Sequence, residues 1–376
     1  MTIKTQKTFI PFWRTQLGQA EIDKTSESLS HGHFSQGQVT EELERKLAAS
    51  LDMPYAVLTT SGSSALFMAV SALGIGTGDE VILPNRTFVA TAHAVMLAGA
   101  KVRLVDVHAD RPIINEALIE KAITSRTKAI LPVHLNGRGA NMAAINALAK
   151  KHGLKVIEDA AQAFASRNEG GFLGAQSDIG CFSLGVTKII TTGQGGFLVT
   201  RDKALYESLT RFRNHGVSNT FAASYQTFGF NLKFNDVLAS IGLVQLAKIP
   251  EKKRAHARIY DYFKKELKDL AYMRLLPVDE ERGNIPLWVE VLTAERDKVI
   301  KCLEDENIQA RPFLPDLDRS RHLENENHDD FPNSRKFAAH GLFLPSGPDL
   351  PREAWERTME VLRAIRPNIS GDAPSV

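Results

Sequence analysis

Cysteine is nearly missing from this chain: Cys181 and Cys302 are the only two in 376 residues. They are too few and too far apart in sequence for a disulfide framework or a thiolate metal site, which predicts a reducing, cytoplasmic setting. Long apolar runs are also lacking. Phe9-Ile10-Pro11-Phe12-Trp13 is too short for a signal-peptide core, and no stretch approaches the roughly 18 residues that suggest a membrane span. An excess of one charge is absent too, since Lys+Arg 46 against Asp+Glu 44 leaves a formal +2. Bulk electrostatics therefore gives no reason to expect nucleic acid or an anionic membrane as partner. There is no internal repeat, and the only biased tract is the short tail Ser370–Val376.

Several catalytic and ligand-binding signatures fail on their spacing. Gly74-Ile75-Gly76-Thr77-Gly78 follows a helical pattern and precedes a strand, the reverse of a dinucleotide site. Lys188 stands three places after Gly185 instead of beside it, so Gly180–Lys188 is not the phosphate loop of a nucleotide hydrolase. Ser61-Gly62-Ser63-Ser64 lacks the flanking glycines of a nucleophile elbow. His31 and His33 have no third ligand nearby, so no metal is expected.

What is present is globular. A hydrophobic content of 43% with 26 glycines falls in the range of folded proteins, and the length predicts two or three folding units. From residue 55, short β-rich runs alternate with longer segments of helical period. Strands are expected at Tyr55–Thr60, Glu80–Pro84, Lys101–Val107, Lys128–His134, Lys155–Asp159, Ile179–Leu184 and Gly196–Thr200. Helices are expected at Ser64–Leu73, Val89–Ala98 and Met142–His152. The near-continuous apolar strands imply a mainly parallel sheet covered on both faces, an α/β fold. After residue 234 the pattern changes: helix at Asn235–Ala247, a break or kink at Pro250, a charged helix to about Leu270, strand at Pro286–Leu292, and helices at Glu295–Glu306 and Arg352–Ile365. This divides the chain into an N-terminal arm with a large domain, 1–248, and a smaller C-terminal α/β domain, 249–376. Val217–Phe228 and Asp318–Lys336 read as loops.

The chemistry-bearing residues lie at strand ends. Val156-Ile157-Glu158-Asp159 is an apolar strand ending on acids, at the sheet edge where open α/β folds bind ligands. Taken alone, Asp159 suits a turn or helix cap. Downstream, Lys188 is the only charged residue between Asp178 and Arg201. Partial desolvation would lower its pKa and free a nucleophilic amine. A Schiff-base lysine and an acid for a ring nitrogen are the minimum protein contribution to pyridoxal phosphate chemistry. Thr59–Ala65 lies between strand and helix, so its hydroxyls and free N–H groups could cradle a phosphate, although an ordinary capped helix start has the same look. Phe88 offers a flat face, or simply a core side chain.

These blocks, in this order, resemble the DegT/DnrJ/EryC1/StrS family of sugar aminotransferases. The resemblance covers nearly the whole chain: Ser61–Ala65, Thr87–Thr91, Glu158–Ala163, Ser183 five residues before Lys188, Arg213–Gly216, Gly229–Lys233, Ile241–Leu246 and Gly341–Gly347. It implies a fold-type I pyridoxal phosphate enzyme with a mainly parallel, seven-stranded-type sheet flanked by helices. By the same resemblance, Lys188 carries pyridoxal 5'-phosphate as a Schiff base and Asp159 pairs with the ring nitrogen. Gln162 bonds the ring oxygen, and Phe88 covers the ring. Gly62, Ser63, the Ser64 backbone and Ser183 hold the phosphate, with Asn231 reaching it from the second subunit of a homodimer. Arg213 and His215 are candidate substrate contacts, with structural capping as the alternative.

The implied reaction moves an amino group from an amino acid, L-glutamate by resemblance, through a pyridoxamine phosphate form of the cofactor, to a keto nucleotide-sugar. The product would be an amino sugar for glycan or secondary-metabolite synthesis. Four positions depart from the family pattern: Gly185, Gln194, Asn136 and Asp318, all in loops expected to border the substrate. One rival is a dehydratase on the same fold, disfavoured because its known branch replaces the lysine with His whereas Lys188 is retained. Another is a non-catalytic regulatory homologue, which would have no need of a proton-shuttling amine.

Overall fold

In a computed structural model of the chain, residues 8–218, 224–225, 227–323 and 330–366 are described. Seven strands form the main sheet, in the order Tyr55–Thr59, Gly196–Thr200, Ile179–Ser183, Lys155–Asp159, Thr127–Ile130, Glu80–Pro84, Lys101–Val105. All run the same way except Gly196–Thr200, which is antiparallel to both neighbours. The central strands are buried along almost their whole length, as Val81, Ile82, Leu83, Ile157 and Phe182 show. Helices cover both faces, so an all-apolar strand loses water on each side.

Caps in the sequence set the helix starts around the sheet. Ser61 caps Gly62–Ala72, accepting from the Ser64 N–H at 3.0 Å. Asn141 and Asp202 cap Met142–His152 and Lys203–Arg213 in the same way. The predicted strands and helices of the large unit are present, with ends shifted by up to four residues.

Two N-terminal helices, Gln19–Ser30 and Gln38–Ser50, were not foreseen. Both pack on the helix Asp236–Ala247, and Asp236 holds the second one by accepting from the N–H groups of Gly37 and Thr40 at 2.9 and 2.8 Å.

The break expected at Pro250 is present: Asp236–Ala247 ends, and a separate helix, Ile249–Glu266, starts with Pro250 in its first turn. Proline fits there because that N–H has no intrahelical partner. A second sheet follows, ordered Arg274–Leu275, Val289–Leu292, Gly341–Leu344, Arg311–Pro312 and wholly antiparallel. The strand expected from Pro286 begins only at Val289, because the Trp288 N–H donates to Asn136 Oδ1 at 2.7 Å instead of to a ladder partner. Part of the expected loop Asp318–Lys336 is helical: Pro332–His340 is a helix, and the N–H groups of Asn333 and Ser334 donate to Asp106. Residues 324–329, half of the Val217–Phe228 loop (219–223 and 226) and the tail Ser370–Val376 lie outside the described residues.

The N-terminal arm crosses to the second sheet. Ile10 bridges Ile308, the Phe12 N–H donates to Gln309 Oε1 at 2.9 Å, and Ile10 is buried with Ile259, Phe263 and Leu344 in one cluster.

Candidate active site

The strands ending at Thr59, Pro84, Asp159 and Ser183 deliver their next residues to one edge of the main sheet, where a cavity of about 500 Å³ opens. It holds Ser63, Phe88, Asp159, Gln162, Ser183 and Lys188. The sequence separates these residues by up to 125 positions; the parallel strands bring them together.

Adjacent acids at the strand end have opposite tasks because strand side chains alternate. Glu158 is structural: it accepts from the N–H groups of Gly174 and Gln176 at 2.8 and 2.7 Å and from Ser177 Oγ, and it contacts the buried His134 ring. Asp159 turns to the cavity, accepting at Oδ2 from Thr91 Oγ1 at 2.8 Å and at Oδ1 from the Ala161 N–H at 3.1 Å. Burial pushes its carboxyl above the ordinary range, against those two hydrogen bonds and the positive charge of Lys188.

Lys188 stands in the loop after Ile179–Ser183. Burial lowers its ammonium to about 8, with Asp159 acting in the other direction. Nζ lies 5.3 Å from the ring centre of Trp288. No hydrogen bond or ion pair from the described residues engages it, so the amine is free to react.

The helix start Gly62–Ala72 faces Ser183. A Cβ on Gly62 would come within 2.9 Å of the Ser183 Cβ, so glycine is what lets the helix N-terminus reach that hydroxyl. The Ser64 N–H is taken by Ser61 Oγ, which leaves the first-turn N–H groups of Gly62 and Ser63, with the Ser63 and Ser183 hydroxyls, as the open donors. Donors of this kind at a helix N-terminus suit a phosphate dianion, and the buried Asp159 suits a ring N–H cation. The residues present therefore fit pyridoxal phosphate.

Phe88 is 51% exposed and outside every core cluster, so it is not the core residue it could have been. Gln162 Oε1 accepts from the Asn136 N–H at 2.9 Å and lines the cavity. Asn231 is exposed, bridges Asn214 and does not line this chain's cavity. Arg213 and His215 also stay outside it. Arg213 is buried on Glu44 and the Leu58 carbonyl, the latter at 2.9 Å, which is the structural role weighed for it, and His215 is exposed at a turn with φ of 57°.

Of the four departures, Gly185 and Gln194 line the cavity. Asn136 does not: buried, with φ of 52°, it exchanges two hydrogen bonds with the Trp288 backbone. Asp318 is held by Asn85 and Arg335.

Sequence reasoning missed the wall contributed by the second sheet: Trp288, Glu290, Arg311 and Phe313, facing Arg86. No local pattern marks them. Thr91 was visible inside the Thr87–Thr91 block, but its bond to Asp159 was not.

A mainly parallel seven-stranded sheet, with a lysine, an acid and an anion cradle at one edge, defines a pyridoxal-phosphate-type aminotransferase. The chain belongs to the DegT/DnrJ/EryC1/StrS aminotransferase family, whose profile matches residues 15–363. It is 33% identical to GDP-perosamine synthase of Escherichia coli O157:H7, covering 92% of this chain and 95% of that one. It is also 33% identical to dTDP-3-amino-3,4,6-trideoxy-alpha-D-glucose transaminase of Streptomyces venezuelae, covering 96% and 98%. Among solved structures, Spr1654 from Streptococcus pneumoniae in its PLP form superposes with a TM-score of 0.89 at 25% identity, over 94% of this chain and 98% of that one. Membership agrees with the cofactor expected from the sequence. No helix among the described residues is long and apolar enough to cross a membrane.

Proposed function

We propose that this chain transfers an amino group from an amino acid, L-glutamate first among candidates, to a keto sugar carried on a nucleotide. The observation that carries this is the shared cavity of Lys188 and Asp159, one a free amine at a lowered pKa and the other a buried carboxyl with no ion pair among the described residues. The nucleotide-sugar part rests on the GDP- and dTDP-linked sugars in the relatives' names.

Bound in this cavity, the cofactor supplies the linkage for the amine and a sink for the electrons left when a proton departs the substrate carbon. Lys188 holds the cofactor, and once displaced it takes up and returns that proton. With a pKa of about 8, roughly a tenth of the amine is neutral at pH 7, against well under a thousandth at the ordinary 10.5. Asp159, oriented by Thr91 and Ala161, keeps the ring nitrogen protonated. Gln162 addresses the ring oxygen and Phe88 covers the exposed face. The Gly62 and Ser63 N–H groups with the Ser63 and Ser183 hydroxyls hold the phosphate.

The enzyme works as a homodimer in which Asn231 completes the partner's cradle, a reading supported by its exposure outside its own cavity. It works in the cytoplasm, in keeping with two unpaired cysteines. The unit from residue 249 onward, with the arm laid across it, closes the substrate side.

The test is direct. Purified protein should show a visible band that borohydride fixes and Lys188→Ala abolishes, and mass analysis should find an amino sugar after incubation with L-glutamate and a keto nucleotide-sugar. A colourless protein that cannot be reconstituted, or a deoxygenated product without nitrogen, would sink the reading.

A further inference from the structure

Four aromatic rings form one cluster on the cavity wall that the second sheet provides. Phe343 contacts Phe12 at 5.9 Å between ring centres, Trp288 at 5.6 Å and Phe313 at 4.7 Å. Three of these rings each carry a cation. Lys188 lies over Trp288, Arg86 over Phe313 at 4.8 Å, and Arg311 over Phe12 at 4.9 Å. All three cations line the same cavity. Lys188 is committed to the cofactor. The two arginines are not needed for it, and the reaction as described gives them no task.

Their hydrogen bonding is incomplete. Arg86 is only 6% exposed, yet it donates from Nη1 alone, to Asp316 Oδ1 at 2.9 Å and the Leu314 carbonyl at 3.3 Å. The remaining three of its five N–H bonds, on Nε and Nη2, have no acceptor among the described residues. Arg86 lines the cavity, so these donors are available to a bound group that supplies an acceptor. The Arg311 side chain makes no ion pair or hydrogen bond with any described residue. It precedes Phe313 by two positions near the strand Arg311–Pro312, and extended backbone places such side chains on one face. Arg86 is stacked on that same Phe313 ring. The carboxylate that lines this wall, Glu290, is already bound by Arg138. The wall therefore carries one unneutralised guanidinium and a second that is half satisfied.

We propose that Arg86 and Arg311 are the acid-recognising pair of this enzyme, Arg86 receiving the α-carboxylate and Arg311 the side-chain carboxylate of a dicarboxylic amino donor. This deepens the aminotransferase reading and rests on it. A guanidinium presents parallel N–H donors that match a carboxylate, and stacking on an aromatic face holds the fork in place at little entropic cost. Two such forks on one wall favour a donor with two carboxylates over a neutral side chain. The arm has a part in this, because Phe12 is the ring beneath Arg311, and it is fixed by Gln309 and by the Ser346 N–H, which donates to the Phe12 carbonyl at 3.2 Å.

The experiment uses holoenzyme. Maleate, a dicarboxylate with no amine, is titrated calorimetrically, GDP is titrated in parallel, and bleaching of the visible band is timed in single turnovers with L-glutamate and with L-alanine. Arg311→Gln should weaken maleate at least tenfold and slow L-glutamate at subsaturating concentration by a similar factor. L-Alanine and GDP should stay within twofold. Arg311→Lys should recover part of the loss. Arg86→Lys, which keeps a cation for Asp316 but loses the free fork, should also weaken maleate.

Unchanged maleate affinity in Arg311→Gln overturns the proposal, as does a loss of GDP affinity with maleate unaffected, since the pair would then serve the nucleotide. Equal slowing of L-alanine and L-glutamate overturns it as well. Wild-type protein without the visible band would instead defeat the aminotransferase reading itself, so the two failures are separable.

Discussion

Lys252 Nζ donates to the carbonyl of Ile189, the residue immediately after Lys188, at 3.0 Å. The same ammonium is bound by Gln245 Oε1, and Lys252 is almost wholly buried. A cation on the helix Ile249–Glu266 thus fixes the backbone that presents the reactive amine. Lys252→Met should leave that carbonyl and Gln245 Oε1 without this donor, costing about 1–3 kcal/mol and lowering Tm by several degrees in scanning calorimetry. The rate with L-glutamate should fall as well; full activity with a lower Tm would make Lys252 a purely structural residue.

The pH dependence of stability follows from the same lysine. Burial lowers its pKa to about 8, and that of Lys188 likewise in the cofactor-free protein. Between about pH 8 and 10.5 the unfolded chain then binds more protons than the folded one, so stability rises with pH across that window. Urea titrations of apo-protein at pH 7.5, 8.5 and 9.5 should show this rise, and Lys252→Met should flatten it.

His256 acts at the other end of the scale. Burial, helped by Lys252, lowers its pKa to about 3, and its Nε2 has no partner among the described residues. Unfolding lets the imidazole take a proton at any pH between about 3 and 6.5, so stability is lost as pH falls through that range. His256→Phe, which keeps a ring to stack on Trp13, should hold its denaturation midpoint further into acid than the wild type.

Asp159→Asn would keep a side chain able to accept from Thr91 but remove the negative charge. Turnover should drop by about two to three orders of magnitude, the scale seen for lost electrostatic stabilisation in a dry site, with near-normal folding by circular dichroism. Thr91→Val should fall between this variant and the wild type in single-turnover rate.

Gly62→Ala would force the new methyl against Ser183, the contact at 2.9 Å. The expected result is a cofactor Kd raised about tenfold, or 1.4 kcal/mol, in fluorescence titrations, with Tm of the apo-protein changed much less.

The main sheet was legible because its strands are buried on both faces. Val81–Leu83 and Val156–Ile157 are apolar whichever way they point, so composition alone marks them. Lys188 and Asp159 were legible for a related reason, being polar groups at the ends of apolar runs. The smaller sheet was less so. Arg311–Pro312 is two residues long, and Gly341–Leu344 follows directly on a helix, so neither gives a periodic signal. Arg213 stayed open between two roles because an arginine in such a block looks the same whether it faces a substrate or Glu44. The arginines that do line the cavity, Arg86 and Arg311, are 225 residues apart and meet only because the second sheet folds back over the first. Asn136 hides its task in the same way: its partner Trp288 is 152 residues away.

The arm has a practical consequence for anyone preparing this protein. The family match begins at residue 15, and a recombinant version trimmed to that boundary would keep every recognisable block and still lose Phe12. Such a protein would have Lys188, Asp159 and the phosphate cradle intact, and it should turn yellow with cofactor. Colour would pass it as healthy while the ring under Arg311 was gone, and its choice among amino acids would reveal the cut.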